Sequence, residues 1–162
     1  MKKHEKTFVI DTNVLIHRPD AFMSFRDSLV IIPLWVFEEL DNLKRDHAGR
    51  GRSARQAIRY INEFSKRGSL QNGVKLPSGG TLRVGFAQKA VVPGDLKIDK
   101  MDNKIILCAL SLAQQGDDVF FVSKDINARI KAAVLGLKAV DYEKNKVSME
   151  HLYEGVVEAT ID

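Results

Sequence analysis

Thr7-Phe8-Val9-Ile10-Asp11 carries the pattern from which the fold class follows. Its first four residues form a short β-branched and aromatic run, the pattern of a buried strand, and the run stops at an acid. Ser28-Leu29-Val30-Ile31-Ile32 repeats the pattern and stops at Pro33. Residues 33 to 46 then read as a helix with Pro33 in its first turn, where a missing N–H costs nothing. After a basic, glycine-containing loop, Ser53 to Lys66 reads as a second helix with Ala54, Ala57, Ile58, Ile61 and Phe64 on its apolar side.

From Arg67 to Lys97 the chain is rich in Gly and Pro, with one expected strand, Thr81 to Phe86. Asp99 is the expected N-cap of a helix running to about Gln115. Val119 to Val122 is a continuous apolar run and reads as a central strand. Asp125 to Leu135 reads as a helix closed by Gly136, and Leu137 to Val140 as a last strand. This alternation predicts an α/β fold: a three-layer α/β/α sandwich around a central, mainly parallel sheet. Residues 1–145 are expected to form one domain, and 146–162 a tail or the start of a linker, with a short helix around His151-Leu152-Tyr153.

With 162 residues and 44% apolar content, the chain can build a single sizeable core. Charged residues at 28% are ordinary for a globular domain and argue against disorder. The net charge of +4 and pI near 9.2 are compatible with a polyanionic partner without requiring one. One cysteine, Cys108, excludes an internal disulfide and suits a reducing compartment. Phe8-Val9-Ile10, behind the charged MKKHEK start, is too short for a signal peptide or a membrane span. A cytoplasmic protein without a membrane partner is the expectation.

Four acids stand at informative places. Asp11 and Asp125 each follow an expected strand, and open parallel sheets bind ligands beyond the carboxyl ends of their strands. Each also precedes a helix, so simple capping explains it equally well. Glu39 shares the inward helical stripe with Val36, Leu40 and Leu43, whereas Glu38 falls on the solvated side with Asp41, Asn42 and Arg45. A buried carboxylate needs a partner: a bound cation, or a Lys or Arg from elsewhere. Asp102 lies on the stripe of Ile105, Ile106, Ala109 and Ala113; a capping-box bond back to the Asp99 N–H is its alternative.

Convergence of the four would raise their pKa values unless a cation neutralised them. Their all-oxygen character favours Mg²⁺ or Mn²⁺ over zinc, and the four scattered His offer no competing site. Such ions suit phosphodiester hydrolysis. Lys44, Arg45, Arg50, Arg52, Arg55 and Arg59 cluster beside Glu39, with Arg52, Arg55 and Arg59 on one helical face. Phosphate contact and an ordinary solvated face are equal readings of that cluster. Lys124 and Arg129 flank Asp125 and are expected to touch the same substrate.

The segments VIDTNVLI (9–16), IIPLWVFEELDNLK (31–44), MDNKIILCALSLA (101–113) and VFFVSKDINARIKA (119–132) resemble, in order, the motifs of the PIN domain family. EELDNLKRDHAGRGRSARQAIRYI (38–61) and DYEKNKVSMEHLYEG (141–155) are most similar to PIN domains that precede a PhoH-like ATPase. The resemblance implies metal-assisted cleavage of single-stranded RNA, with 5′-phosphate and 3′-hydroxyl products. It implies a metal site of Asp11, Glu39, Asp102 and Asp125, supported by Thr12, Asn13 and Ser123. No GxxxxGK[ST] phosphate loop occurs, so the ATPase is expected outside this chain. A homo-oligomer stays open as a partner class. The competing readings are a non-catalytic RNA- or protein-binding module serving that ATPase, and a phosphotransfer domain of haloacid-dehalogenase type. The latter requires a second Asp where Asn13 stands.

Overall fold

The computed structural model describes residues 5–86, 90–97 and 99–142. Six strands form one sheet: β1 (Lys6–Ile10), β2 (Leu29–Pro33), β3 (Val74–Lys75), β4 (Thr81–Gly85), β5 (Asp118–Val122) and β6 (Lys138–Val140). Their order is β3-β4-β2-β1-β5-β6, and every pairing is parallel except β3 with β4. The helices are α1 (Thr12–His17), α2 (Leu34–Leu43), α3 (Gly49–Ser65), α4 (Met101–Gln114) and α5 (Ile126–Val134), with a short 3₁₀ turn at Ala21–Ser24.

The expected α/β architecture is present: a mostly parallel sheet flanked by helices. Phe8, Val9 and Ile10 on β1 are fully buried, as a central strand covered on both faces requires. The Phe8 ring lies 4.6 Å from that of Phe25 and 5.2 Å from that of Phe120, so β1 anchors an aromatic centre of the core.

The chain moves from β1 toward β2 and β4, then crosses to β5 and β6 on the other side. The reversal between β1 and β5 opens a crevice at their carboxyl ends, where open α/β sheets place ligands. Ile10 is in register with Val122, and the Asp11 N–H donates to the Val122 carbonyl at 2.9 Å. Asp11 and Ser123 therefore leave the sheet side by side.

Several boundaries differ from expectation. α4 starts at Met101 with Lys100, not Asp99, as its N-cap. α3 starts at Gly49, four residues before Ser53, and α2 ends at Leu43. The loop expected between them shrinks because Asp46 accepts the Ala48 N–H at 2.9 Å and the first turn of α3 packs against the turn at Asp46. A Cβ at Gly51 would lie 1.7 Å from the Asp46 carbonyl oxygen, so only glycine allows this approach. Strand β3 and the 3₁₀ turn carry no apolar periodicity and are absent from the sequence reading. The helix expected around His151 falls outside the described residues. Among the described residues, no helix is long and apolar enough to cross a membrane.

Candidate metal centre

Asp11, Thr12, Asn13, Glu39, Asp102 and Asp125 line one pocket of about 430 Å³, together with Arg50. The four acids that the sequence singles out thus face one crevice, beyond the carboxyl ends of β1 and β5.

Asp11 is the most constrained of them, at 7% exposure. Its carboxylate accepts from the Thr12 N–H at 2.8 Å, the Ser123 hydroxyl at 2.8 Å and the Asn13 amide at 3.2 Å. Burial pushes its pKa up from 3.8 to about 6, the Glu39 charge adds to the rise, and the Ser123, Thr12 and Asn13 bonds oppose it. All these donors are neutral. Among the described residues no Lys or Arg pairs with this carboxylate, so a buried negative charge stands without a cation.

Glu39 is half-buried and Glu38 exposed, as the helical phase requires. The Thr12 hydroxyl donates to Glu39 Oε1, linking α1 to α2 across the pocket. Asp125 is exposed and caps α5, accepting the Asn127 N–H at 3.0 Å. Capping and pocket lining thus coexist in both Asp11 and Asp125.

Asp102 lines the pocket but is not buried as expected. The sequence stripe puts it inward, but its side chain is 52% exposed and pairs with Lys131 at 3.3 Å. No capping-box bond to Asp99 forms. Asn103, 3% exposed, takes the inward place, donating to the Lys97 carbonyl at 2.9 Å and accepting from Lys131 at 2.9 Å. The reason is that α4 is buried at Asn103 and from Ile105 through Ser111, so its wide apolar surface does not fix which residue of the first turn points inward. Asn103 and Lys131 were missed because neither stands out by periodicity; an amide in phase with Ile106 and Leu110 is the signal that was available.

The supporting residues form one network. Asn13 Oδ1 accepts the Lys124 N–H at 2.8 Å, and Ser123 Oγ accepts the Asp125 N–H at 3.0 Å while donating to Asp11. Ser123 is fully buried and joins the ends of β1 and β5. Among the described residues no three His, Cys, Asp or Glu side chains lie close enough, as placed, to share a metal ion. All four acids are engaged by protein partners: Asp11 by Thr12, Ser123 and Asn13, Glu39 by Thr12, Asp102 by Lys131 and Asp125 by its own helix.

The basic residues divide into two sets. Arg52, Arg55 and Arg59 are exposed along α3, opposite its buried Ala54, Ala57 and Ile61. Arg55 donates to the Lys44 carbonyl at 2.6 Å and Arg59 to Gln56 at 3.1 Å. Lys44 pairs with Asp41 at 2.8 Å and Arg50 with Asp46 at 3.6 Å, while Arg45 is exposed. Lys124 and Arg129, expected to face a substrate, both turn to Asp141, at 3.7 and 3.6 Å.

With this geometry, residues 8–143 match the PIN domain family model. The chain belongs to the PIN domain family. This is a nuclease-type domain. The chain is 36% identical over 159 residues to protein PhoH2 of Bacillus subtilis (strain 168), covering 93% of this chain and 36% of that protein. It is 37% identical over 159 residues to PhoH2 of Thermobispora bispora, covering 96% of this chain and 36% of that one. PhoH2 of Mycolicibacterium smegmatis is 38% identical over 146 residues, with 88% of this chain and 33% of that protein covered. The chain therefore spans about a third of the length of these relatives.

Two solved structures share the fold. A PilT N-terminus domain protein from Sulfolobus solfataricus P2 superposes with a TM-score of 0.54 at 15% identity, covering 96% of this chain and 98% of that one. A domain of a functionally unknown protein from Methanocaldococcus jannaschii gives 0.50 at 16%, covering 98% and 94%.

Proposed function

We propose that this PIN domain is a Mg²⁺- or Mn²⁺-dependent ribonuclease hydrolysing phosphodiester bonds of single-stranded RNA. The observation that carries the reading is Asp11, a buried carboxylate with neutral donors around it and three further acids lining the same pocket. A buried charge of this kind fits a cation site, and an oxygen-only donor set fits a hard divalent ion. Mg²⁺ retains several waters and needs few direct carboxylate ligands, which suits acids that line a pocket without closing a cage. Asp11, Glu39, Asp102 and Asp125 would hold it. When bound, such an ion supplies an activated water and neutralises charge on the phosphate.

The chain's own residues prepare the pocket. Ser123 and Asn13 fix the rotamer of Asp11, and Thr12 fixes Glu39, so two carboxylates are held in place before substrate arrives. Arg50 is the cation on the pocket wall, and Lys44, Arg45, Arg52, Arg55 and Arg59 extend positive charge along the neighbouring surface. Such a track attracts the phosphate backbone and discriminates little by sequence. In the full-length protein a PhoH-like ATPase domain would follow through residues 146–162.

The test is a labelled single-stranded RNA incubated with wild type and Asp11→Asn, each in Mg²⁺ and in EDTA. Cleavage by wild type with Mg²⁺ alone is expected. Equal cleavage by the variant, or activity surviving EDTA, overturns the reading. RNA binding without any cleavage would favour the non-catalytic module.

A further inference from the structure

We propose that Arg129 and Asp141 form a clamp that fixes the turn Ser123-Lys124-Asp125 for the acid pocket, both acting as positioning residues. Its functional consequence rests on the metal-site reading above, but its structural content does not. Arg129 lies one helical turn after Asp125, so its side chain runs back along α5 toward the turn that starts the helix. There Arg129 Nη1 donates to the Ser123 carbonyl at 2.8 Å. The same nitrogen lies 3.6 Å from Asp141 Oδ2, and Lys124 Nζ lies 3.7 Å from Asp141 Oδ1. Their side chains are 19%, 18% and 23% exposed for Arg129, Asp141 and Lys124, so the group is largely withdrawn from solvent. One charge-assisted bond, from Arg129 to the Ser123 carbonyl, and two ion pairs to Asp141 at that depth hold geometry better than exposed pairs do.

What the clamp holds is the junction of the site. Ser123 donates to Asp11 and accepts the Asp125 N–H, while the Lys124 N–H is bound by Asn13. Moving the Ser123 carbonyl would disturb all three contacts at once. Asp141 directly follows β6, beside β5 in the sheet, so the clamp ties the end of β6 to the turn that leaves β5. This differs from the direct RNA contact that the positions of Lys124 and Arg129 suggest.

The test uses the whole chain in EDTA, without RNA, and reads amide hydrogen exchange by NMR in Arg129→Met and Asp141→Asn. Exchange at the Lys124 and Asp125 amides should accelerate at least tenfold more than at the Asp11 amide, which the sheet protects through Val122. In a second measurement the two variants are titrated with Mn²⁺ and with RNA. Both should bind Mn²⁺ more weakly, while RNA affinity keeps its wild-type salt slope. Unchanged exchange at Lys124 and Asp125, or equal acceleration at Asp11, overturns the clamp. So does a salt slope reduced by one unit in Arg129→Met together with tighter RNA binding by Asp141→Asn, since that pattern marks Lys124 and Arg129 as phosphate contacts. Because exchange is read without metal or RNA, failure of the ribonuclease reading leaves this outcome distinct.

Discussion

Replacing Asp11 by Asn should make the metal-free protein more stable, and increasingly so as the pH rises. The folded pKa of Asp11 is about 6 against 3.8 for the ordinary carboxyl group, so the fold prefers the protonated form. Below pH 3.8 this group costs nothing; stability is lost as the pH rises from there to about 6, and the full loss applies above. A shift of about two units corresponds to roughly 3 kcal/mol at pH 7. Asparagine removes that charge and keeps one oxygen for the Thr12 N–H, but its NH2 replaces the oxygen that accepts from both Ser123 and Asn13. That mismatch offsets about 1 kcal/mol or more. The net gain at pH 7 should be about 1 to 2 kcal/mol. The pH dependence is cleaner, because the mismatch does not titrate. Between pH 5 and pH 7 the stability gap between variant and wild type should widen by about 1 kcal/mol. Urea unfolding of both proteins in EDTA at the two pH values measures it. A constant or shrinking gap would refute the claim that Asp11 is a buried charge without a counter-ion.

Asp125 should separate into its two roles: Asp125→Asn keeps an acceptor for the Asn127 N–H and holds stability within about 0.5 kcal/mol, whereas Asp125→Ala loses about 1 kcal/mol with the cap. Both should lose cleavage, and urea unfolding beside an RNA assay distinguishes them. On α3, neutralising Arg52, Arg55 and Arg59 together should weaken RNA binding and reduce its salt slope by about one unit per lost phosphate contact. An unchanged slope moves the binding surface elsewhere.

Those predictions rest on features of uneven legibility in the sequence. β1, β2 and β5 were readable because strands covered on both faces are continuous apolar runs, and no helix of that length could compete. The phase of α2 separated Glu39 from Glu38 because its stripe is narrow. α4 defeated the same reasoning: it is buried at Asn103 and from Ile105 through Ser111, so its wide apolar surface leaves the phase of the first turn undetermined. Asp102 and Asn103 are exchanged for that reason. The start of α3 was hidden behind two glycines whose helix penalty is overridden by packing at Asp46, a tertiary effect. The turn to Asp141 was invisible as well, since Lys124 and Arg129 look like free surface cations until β6 brings Asp141 beside them. Asp11 and Asp125 were legible as pocket-lining acids from their place at strand ends, where capping explains them equally well, and Glu39 because an acid on an inward stripe contradicts the local pattern.

The ribonuclease reading requires the pocket between β1 and β5 to hold a divalent ion. Crystals of the wild-type chain soaked in Mn²⁺, with anomalous diffraction recorded at the manganese edge, test it most directly. One or more anomalous peaks are expected against Asp11, Glu39, Asp102 and Asp125, with Asp102 released from Lys131, and none at this position in Asp11→Asn. A pocket that stays empty of manganese, or peaks confined to other surfaces, would contradict it.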